Sequence, residues 1–123
     1  MADLLEQATD WLTRMQQQHA SKPVTYHREQ QSIEVTATIG KTVFRTEDEF
    51  GRVQRFESRD FLIPTEQLTV APPKRGDRIR ETQADKTYVY EVMAPGKEPH
   101  FRFADAYRRT LRVHTKLVDT EDV

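Results

Sequence analysis

The sequence predicts a mainly β protein: a small antiparallel β-barrel or sandwich of six to seven strands with one N-terminal α-helix. Three observations lead there. First, Arg52 to Leu68 (RVQRFESRDFLIPTEQL) alternates as a pleated strand does, with Val53, Arg55, Glu57, Arg59, Phe61 and Ile63 on one side. Gln54, Phe56, Ser58, Asp60 and Leu62 take the other side, and neither side is purely apolar before Phe61. The strand is therefore expected to begin in a wet, charged setting and end in a core. Second, further short alternating runs are separated by Gly, Pro or acidic residues at intervals typical of antiparallel sheets. Third, helical periodicity is confined to one place, residues 3–20.

In that helix Leu4, Leu5, Ala8, Trp11, Leu12 and Met15 recur at spacings of three and four and form one apolar stripe. Asp3 is placed to cap it, with Glu6 three positions later as in a capping box. Two roles fit the stripe. The helix can lie across a sheet edge, or it can dock on a neighbouring subunit with Trp11 as the anchor. Pro23 to Arg28 follows, then a clean half-buried strand in which Ile33, Val35, Ala37 and Ile39 alternate with Ser32, Glu34, Thr36 and Thr38. Gly40-Lys41 reads as a tight turn, with a new strand beginning at Thr42. Glu47, Asp48 and Glu49 form an acidic loop closed by Gly51, either solvated or facing a basic partner.

Pro64 lacks an N–H and ends the long strand, and PTEQL reads as one helical turn. The loop APPKRGDR contains Arg75-Gly76-Asp77, the letters of an integrin ligand; Gly76-Asp77 is better read as setting the turn into the strand Arg78–Thr82. That strand and KTYVYEVM form a hairpin around Ala84-Asp85. After the loop APGKEPH, Phe101 and Phe103 alternate around Arg102, and ADAYRR bends the chain. In the last strand Leu111, Val113, Thr115 and Leu117 are expected inside and Thr110, Arg112, His114 and Lys116 outside. Residues 1–118 are thus expected to make one domain, and 119–123 a disordered acidic tail.

Composition narrows the function. At 123 residues and 14.5 kDa the length fits one domain that buries about two thirds of its unfolded surface. It is polar, with 36% hydrophobic and 32% charged residues and a mean hydropathy of -0.82, so surplus charged surface is expected to meet partners. The net charge of -1 argues against a protein built chiefly to grip nucleic acid. There is no cysteine, which removes disulfides and thiolate metal sites. No apolar run approaches the roughly 18 residues of a membrane span, and no secretory signal is visible, so a cytosolic protein without membrane contact is expected. His19, His27, His100 and His114 lack metal-ligand spacing, the three serines sit in no nucleophile elbow, and no P-loop occurs. A non-enzyme without cofactor or metal is the expectation.

Read from the residues, the best functional stretch is Arg112, His114 and Lys116. These are three basic side chains about 7 Å apart on one strand face, preceded by Arg108 and Arg109. Such a ladder can track phosphates, or simply protect a strand edge. With Phe56, Phe61, Tyr88 and Tyr90 as stacking platforms it defines one reading, a small β-barrel that binds single-stranded nucleic acid.

Another reading comes from ESRDFLI at 57–63, Leu68, Gly76-Asp77 with Ile79, YEV at 90–92, PGKEP at 95–99 and DAYRRTLRVHTK at 105–116. In order and spacing these resemble small head–tail joining, or head-closure, proteins of tailed phages and prophages, over roughly residues 1–118. The resemblance implies a small barrel that assembles as a ring between portal and tail, made in the bacterial host cytoplasm and carried in the virion. Its partners would be copies of itself, portal or connector and tail proteins, and transiently the packaged DNA, with a monomer as the isolated form. A tail-terminator-type subunit is a further alternative. Trp11, the acidic Glu47, Asp48 and Glu49, and the basic Arg108, Arg109, Arg112, His114 and Lys116 are the residues expected at such contacts.

Overall fold

A computed structural model of the chain describes residues 4–19, 21–96 and 98–122. The helix α1 spans Leu4–His19. The expected Asp3 cap and the side chains of Leu12 and Met15 lie outside the described residues. Seven strands follow: β1 (Ser21–Arg28), β2 (Gln31–Glu47), β3 (Val53–Pro64), β4 (Arg78–Gln83), β5 (Lys86–Val92), β6 (Phe101–Phe103) and β7 (Thr110–Asp122). All pair antiparallel in one sheet. β1 pairs with β2 and β4, β2 with β3, β3 with β7, β7 with β5, and β5 with β4, so six strands form a closed, barrel-like circuit. Closure removes most of the exposed edges that an open sheet would present. β6 adds to β7 as the seventh strand.

The inside of this circuit is the core. Val24, Tyr26, Val35, Ala37, Phe61, Ile63, Ile79, Tyr90, Val92, Leu111 and Val113 pack together there, with Leu68 closing over them. β3 behaves as its alternation predicts. It is exposed from Val53 to Arg55 and buried from Asp60 to Pro64. After Pro64 the 3-10 turn Thr65–Gln67 leads Leu68 inward, and the Gln67 side chain accepts a 2.7 Å hydrogen bond from the Thr36 N–H. The β4–β5 hairpin forms as expected, with the intervening Ala84 at φ 54°.

Two expectations fail here. Gly40-Lys41 is not a turn. β2 runs straight through it, Gly40 opposite Asp60 and Lys41 opposite Arg59. Gly40 is needed for its missing side chain: a Cβ there would meet Leu62 Cδ1 at 3.3 Å and the Arg112 guanidinium at 3.5 Å. Nor does the chain lose structure after residue 118. Asp119, Thr120, Glu121 and Asp122 pair with Val89, Tyr88, Thr87 and Lys86, past an irregularity between Val89 and Tyr90 that leaves Val118 without a cross-strand partner. Their side chains are polar because they are exposed; their backbone completes the β5 edge. Deleting residues 119–123 is therefore expected to lower Tm by about 5 °C in a thermal melt, the effect of roughly 1 kcal/mol. An unstructured tail would leave Tm unmoved.

The unbroken β2 makes an arm. From Ile39 to Glu47 it pairs with β3 but no longer with β1, and β3 from Val53 to Ser58 no longer pairs with β7. A two-stranded ribbon alone is marginal in water. One of its faces is braced: Phe44 stacks on Phe56 with centroids 5.3 Å apart, and a Cβ on Gly96 of the 93–99 loop would lie 3.3 Å from Thr46 and 3.8 Å from Phe56.

Candidate assembly interface

The arm ends in a turn that Asp48 builds. Its carboxylate accepts hydrogen bonds from the N–H groups of Phe50 (2.9 Å) and Arg52 (2.7 Å), while Gly51 takes φ 77°. Asp48 is thus tied to its own loop, and Glu47 and Glu49 stand exposed beside it. The turn throws Phe50 into solvent, 75% exposed, with Val53 next to it at 66%.

At the other end of β3 sits the turn between β6 and β7. The Asp105 carboxylate accepts from the N–H groups of Tyr107, Arg109 and Thr110 at 2.9–3.1 Å, and the Thr65 N–H donates to the Arg109 carbonyl at 2.9 Å. Arg108, at φ 59°, lies over the Phe103 ring. This frame aims Arg109 at α1, where its guanidinium pairs with Glu6 and, at 3.2 Å, with Asp10. Those carboxylates hold Arg109 above its ordinary pKa, the hydrogen bond to Glu6 contributing most. An open groove of about 600 Å³ lies beside this contact, lined by Asp10, Glu66, Tyr107 and Arg108 among others.

The helix is consequently turned opposite to habit. Glu6, Thr9 and Asp10 are half-buried, whereas Leu4, Leu5, Ala8 and Trp11 are exposed, Trp11 by 54%. The described part of the stripe is therefore not turned onto the sheet, although α1 itself runs beside β1 and β2.

The expected basic ladder comes apart. Lys116 is exposed, but Arg112 and His114 turn onto Asp60, and His114 is only 3% exposed. Strand alternation put His114 outside correctly, yet the outside is covered there. Phe44 meets its ring edge-on, and its backbone N–H donates to the His100 carbonyl. Asp60 is fully buried. It accepts hydrogen bonds from Ser58 (2.6 Å), Thr42, Arg112 (2.6 Å) and His114 Nδ1 (2.8 Å). Burial alone would raise its pKa, but these bonds outweigh burial and hold the carboxyl at about 2. Sequence reading missed this cluster; the signal for it was the run of polar residues on the Ser58–Asp60 side of an otherwise core-bound strand.

The stacking platforms fare no better. Phe61 and Tyr90 are buried in the core, 5.4 Å apart edge to face. Asp77 of the Arg-Gly-Asp tripeptide is also buried. It accepts from Tyr26 and Arg28, while Arg28 reaches the carbonyls of Val70 and Pro72 at 2.7 Å. That network pins the 70–77 loop to the barrel, as its reading as a turn requires.

Among the described residues no group of three or more His, Asp or Glu is placed to hold a metal ion, and no helix is long and apolar enough to cross a membrane. The body is barrel-like, the described apolar residues of α1 (Leu4, Leu5, Ala8 and Trp11) are exposed, and a braced arm extends from the sheet. Residues 2–122 match the family described as Phage head-tail joining protein, and the chain belongs to that family. A search of curated proteins finds no match. Membership makes it a phage structural component of virion assembly that works with other phage head and tail proteins.

Proposed function

We propose that this chain assembles as a closed ring between portal and tail, with α1 docking on a head or tail neighbour and the arm making the contacts between copies. The inverted helix carries the reading. A helix that served only its own barrel would bury Leu4, Leu5 and Trp11 and expose Glu6 and Asp10. Here Arg109 pairs with Glu6 and Asp10 on the polar face, and Leu4, Leu5, Ala8 and Trp11 are left for another protein. The arm tip supplies a second apolar surface at the far end of β3, up to about 36 Å away along an extended strand. The arm of one copy against a different surface of the next is a heterologous contact, which closes into a ring when the rotation allows. Each patch is small, so the isolated chain is expected to be monomeric at low concentration. A near-neutral protein also suits a channel through which DNA must pass without sticking.

The test is a triple variant, Leu4→Ser/Leu5→Ser/Trp11→Ser. Because these side chains are exposed, unfolding stability is expected to stay within about 1 kcal/mol of the parent. Capture by the purified portal and tail proteins of the same phage, and incorporation into virions, are expected to fall at least about tenfold. Unchanged capture and incorporation would remove the helix from the interface.

A further inference from the structure

Past Thr38, β2 runs on without β1, and its outer edge stays open as far as Glu47. The ladder decides which backbone groups that edge presents. In an antiparallel strand the N–H and C=O of one residue point the same way, and successive residues alternate. The Thr65 N–H donates to the Arg109 carbonyl, so odd-numbered residues of β3 face β7 and even-numbered ones face β2. Through the β2–β3 register, even-numbered residues of β2 face β3. The Thr36 N–H, which turns to the Gln67 side chain just beyond β3, agrees. Lys41, Val43, Arg45 and Glu47 therefore offer their backbone groups to the open side, and their exposed side chains share one face. An open cavity of about 610 Å³ follows the same edge from Val43 to Asp48, bounded by Pro95, Gly96 and Glu98 and by no residue of β3.

An edge of this kind accepts another strand, and a second copy of β2 fits it. Laid antiparallel, the residues that exchange hydrogen bonds must be odd-numbered on both strands, which leaves few registers. With Phe44 on the two-fold axis, Lys41 stands opposite Glu47 of the second copy and Val43 opposite Arg45, and both pairs recur across the axis. Thr42 falls opposite Thr46 on the other face. One step of sliding either way puts Lys41 on Arg45 or Arg45 on itself, and like charges directly opposed destabilise a sheet. Lys and Arg on an edge ordinarily deter pairing; this register sets Lys41 against a carboxylate and Arg45 against a valine. Lys41 is held only loosely in its own chain, 4.0 Å from Glu57 with 71% of its side chain exposed, and Glu47 has no ion-pair partner among the described residues. Antiparallel self-pairing also sends the two barrels to opposite ends. The open β3 edge serves less well, because a strand laid antiparallel on it runs into β7 at Arg59.

We propose that two copies of the unassembled chain join arm to arm, β2 against β2 about Phe44, in a four-stranded sheet with about eight backbone hydrogen bonds across the seam. This goes beyond the ring, because a two-fold pair has no place between neighbours of a ring with unlike ends. It covers the open edge before assembly. The seam is short, so the pair forms as concentration rises and gives way to the monomer at low concentration.

Lys41 and Glu47 are exposed, so reversing their charges leaves the fold intact. Sedimentation equilibrium of the parent, from about 1 μM to about 1 mM, should show a reversible monomer–dimer equilibrium. Lys41→Glu alone and Glu47→Lys alone each set like charges opposite one another at two places and should weaken the dimer at least about tenfold. Lys41→Glu/Glu47→Lys brings opposite charges back to both places and should return the dissociation constant to within about threefold of the parent. The chain has no cysteine, so the register can also be trapped. Val43→Cys chains bearing a size tag, mixed with untagged Arg45→Cys chains and oxidised, should give a covalent heterodimer at least about fivefold above either homodimer. A parent that stays monomeric throughout overturns the proposal. So does a double variant no tighter than the single ones, or a heterodimer no more abundant than the homodimers. Neither measurement depends on ring formation, so the outcome stands apart from the ring reading.

Discussion

Replacing Asp60 with alanine is expected to destabilise the protein by about 3 kcal/mol, read as a fall in the urea midpoint at unchanged slope. Asp60 sits where the arm leaves the barrel, and four side chains from β2, β3 and β7 donate to it. Removing one member of a buried ion pair costs about 3–5 kcal/mol, because the remaining charge stays desolvated. The low end applies here. Arg112 keeps 22% of its side chain exposed and can turn partly toward water. Asp60→Asn keeps acceptor and shape but loses the charge, so it should fall between alanine and the parent.

The same residue sets a pH dependence. Its folded pKa, about 2, is depressed below the unfolded value near 3.8. A depressed carboxylate contributes stability that is present above the unfolded pKa and is lost as pH falls through the folded one. The shift corresponds to about 2 kcal/mol, lost between about pH 4 and 2. Asp77 and Glu81 are also held below their ordinary values by buried hydrogen bonds and act with the same sign. The parent should therefore lose more stability on acidification than Asp60→Asn does. Parallel curves for the two proteins would show that Asp60 is not held as an anion by these partners.

Asp60 also marks where the sequence stops being readable. Period-two alternation sorts residues to two sides of a strand, and on β3 and β7 it sorted them correctly. It does not say what lies over each side. His114 is on the outer side and buried, because Phe44 and the chain around His100 cover it. Leu117 is on the inner side and half exposed, because β7 has by then parted from β3. The helix teaches the same lesson: its stripe was plain in the spacing of Leu4, Leu5, Ala8 and Trp11, but its direction goes with contacts such as those of Glu6 and Asp10 to Arg109, a hundred residues away. Gly40 was misread for a different reason. Glycine marks turns by its freedom of φ and close approaches by its lack of a Cβ, and only the neighbouring Leu62 and Arg112 reveal which applies. The acidic residues after Val118 resembled a solvated tail because side chains, not backbone pairing, dominate composition.

Glu81 provides the second large effect, and its expected signature is non-additive. It lies on the inner side of β4, two residues from the core residue Ile79, with its side chain fully buried. Arg59 reaches both of its oxygens, at 2.7 and 2.8 Å, Lys22 donates at 2.9 Å, and the Gln83 amide also donates to it. Arg59 in turn lies over the rings of Phe61 and Tyr90, so the pair rests directly on the core where the arm begins. Glu81→Ala leaves Arg59 and Lys22 facing each other without their common anion, and about 3–4 kcal/mol should be lost. If desolvation is what makes that loss large, removing both charges must cost less than removing one. Arg59→Met/Glu81→Leu fills the site with apolar volume and should recover at least about 2 kcal/mol relative to Glu81→Ala, a coupling within the usual range for contacting residues. Lys22, 31% exposed, swings to solvent in that double variant at little cost. Denaturation of the three proteins side by side decides it. A double variant as unstable as Glu81→Ala would mean that the loss comes neither from stranded charge nor from lost volume, but from the hydrogen bonds that only the carboxylate supplies. The interior face of the barrel would then depend at this end on the bonds that tie β1, β3 and β4 together through Glu81, which apolar side chains of similar volume do not replace.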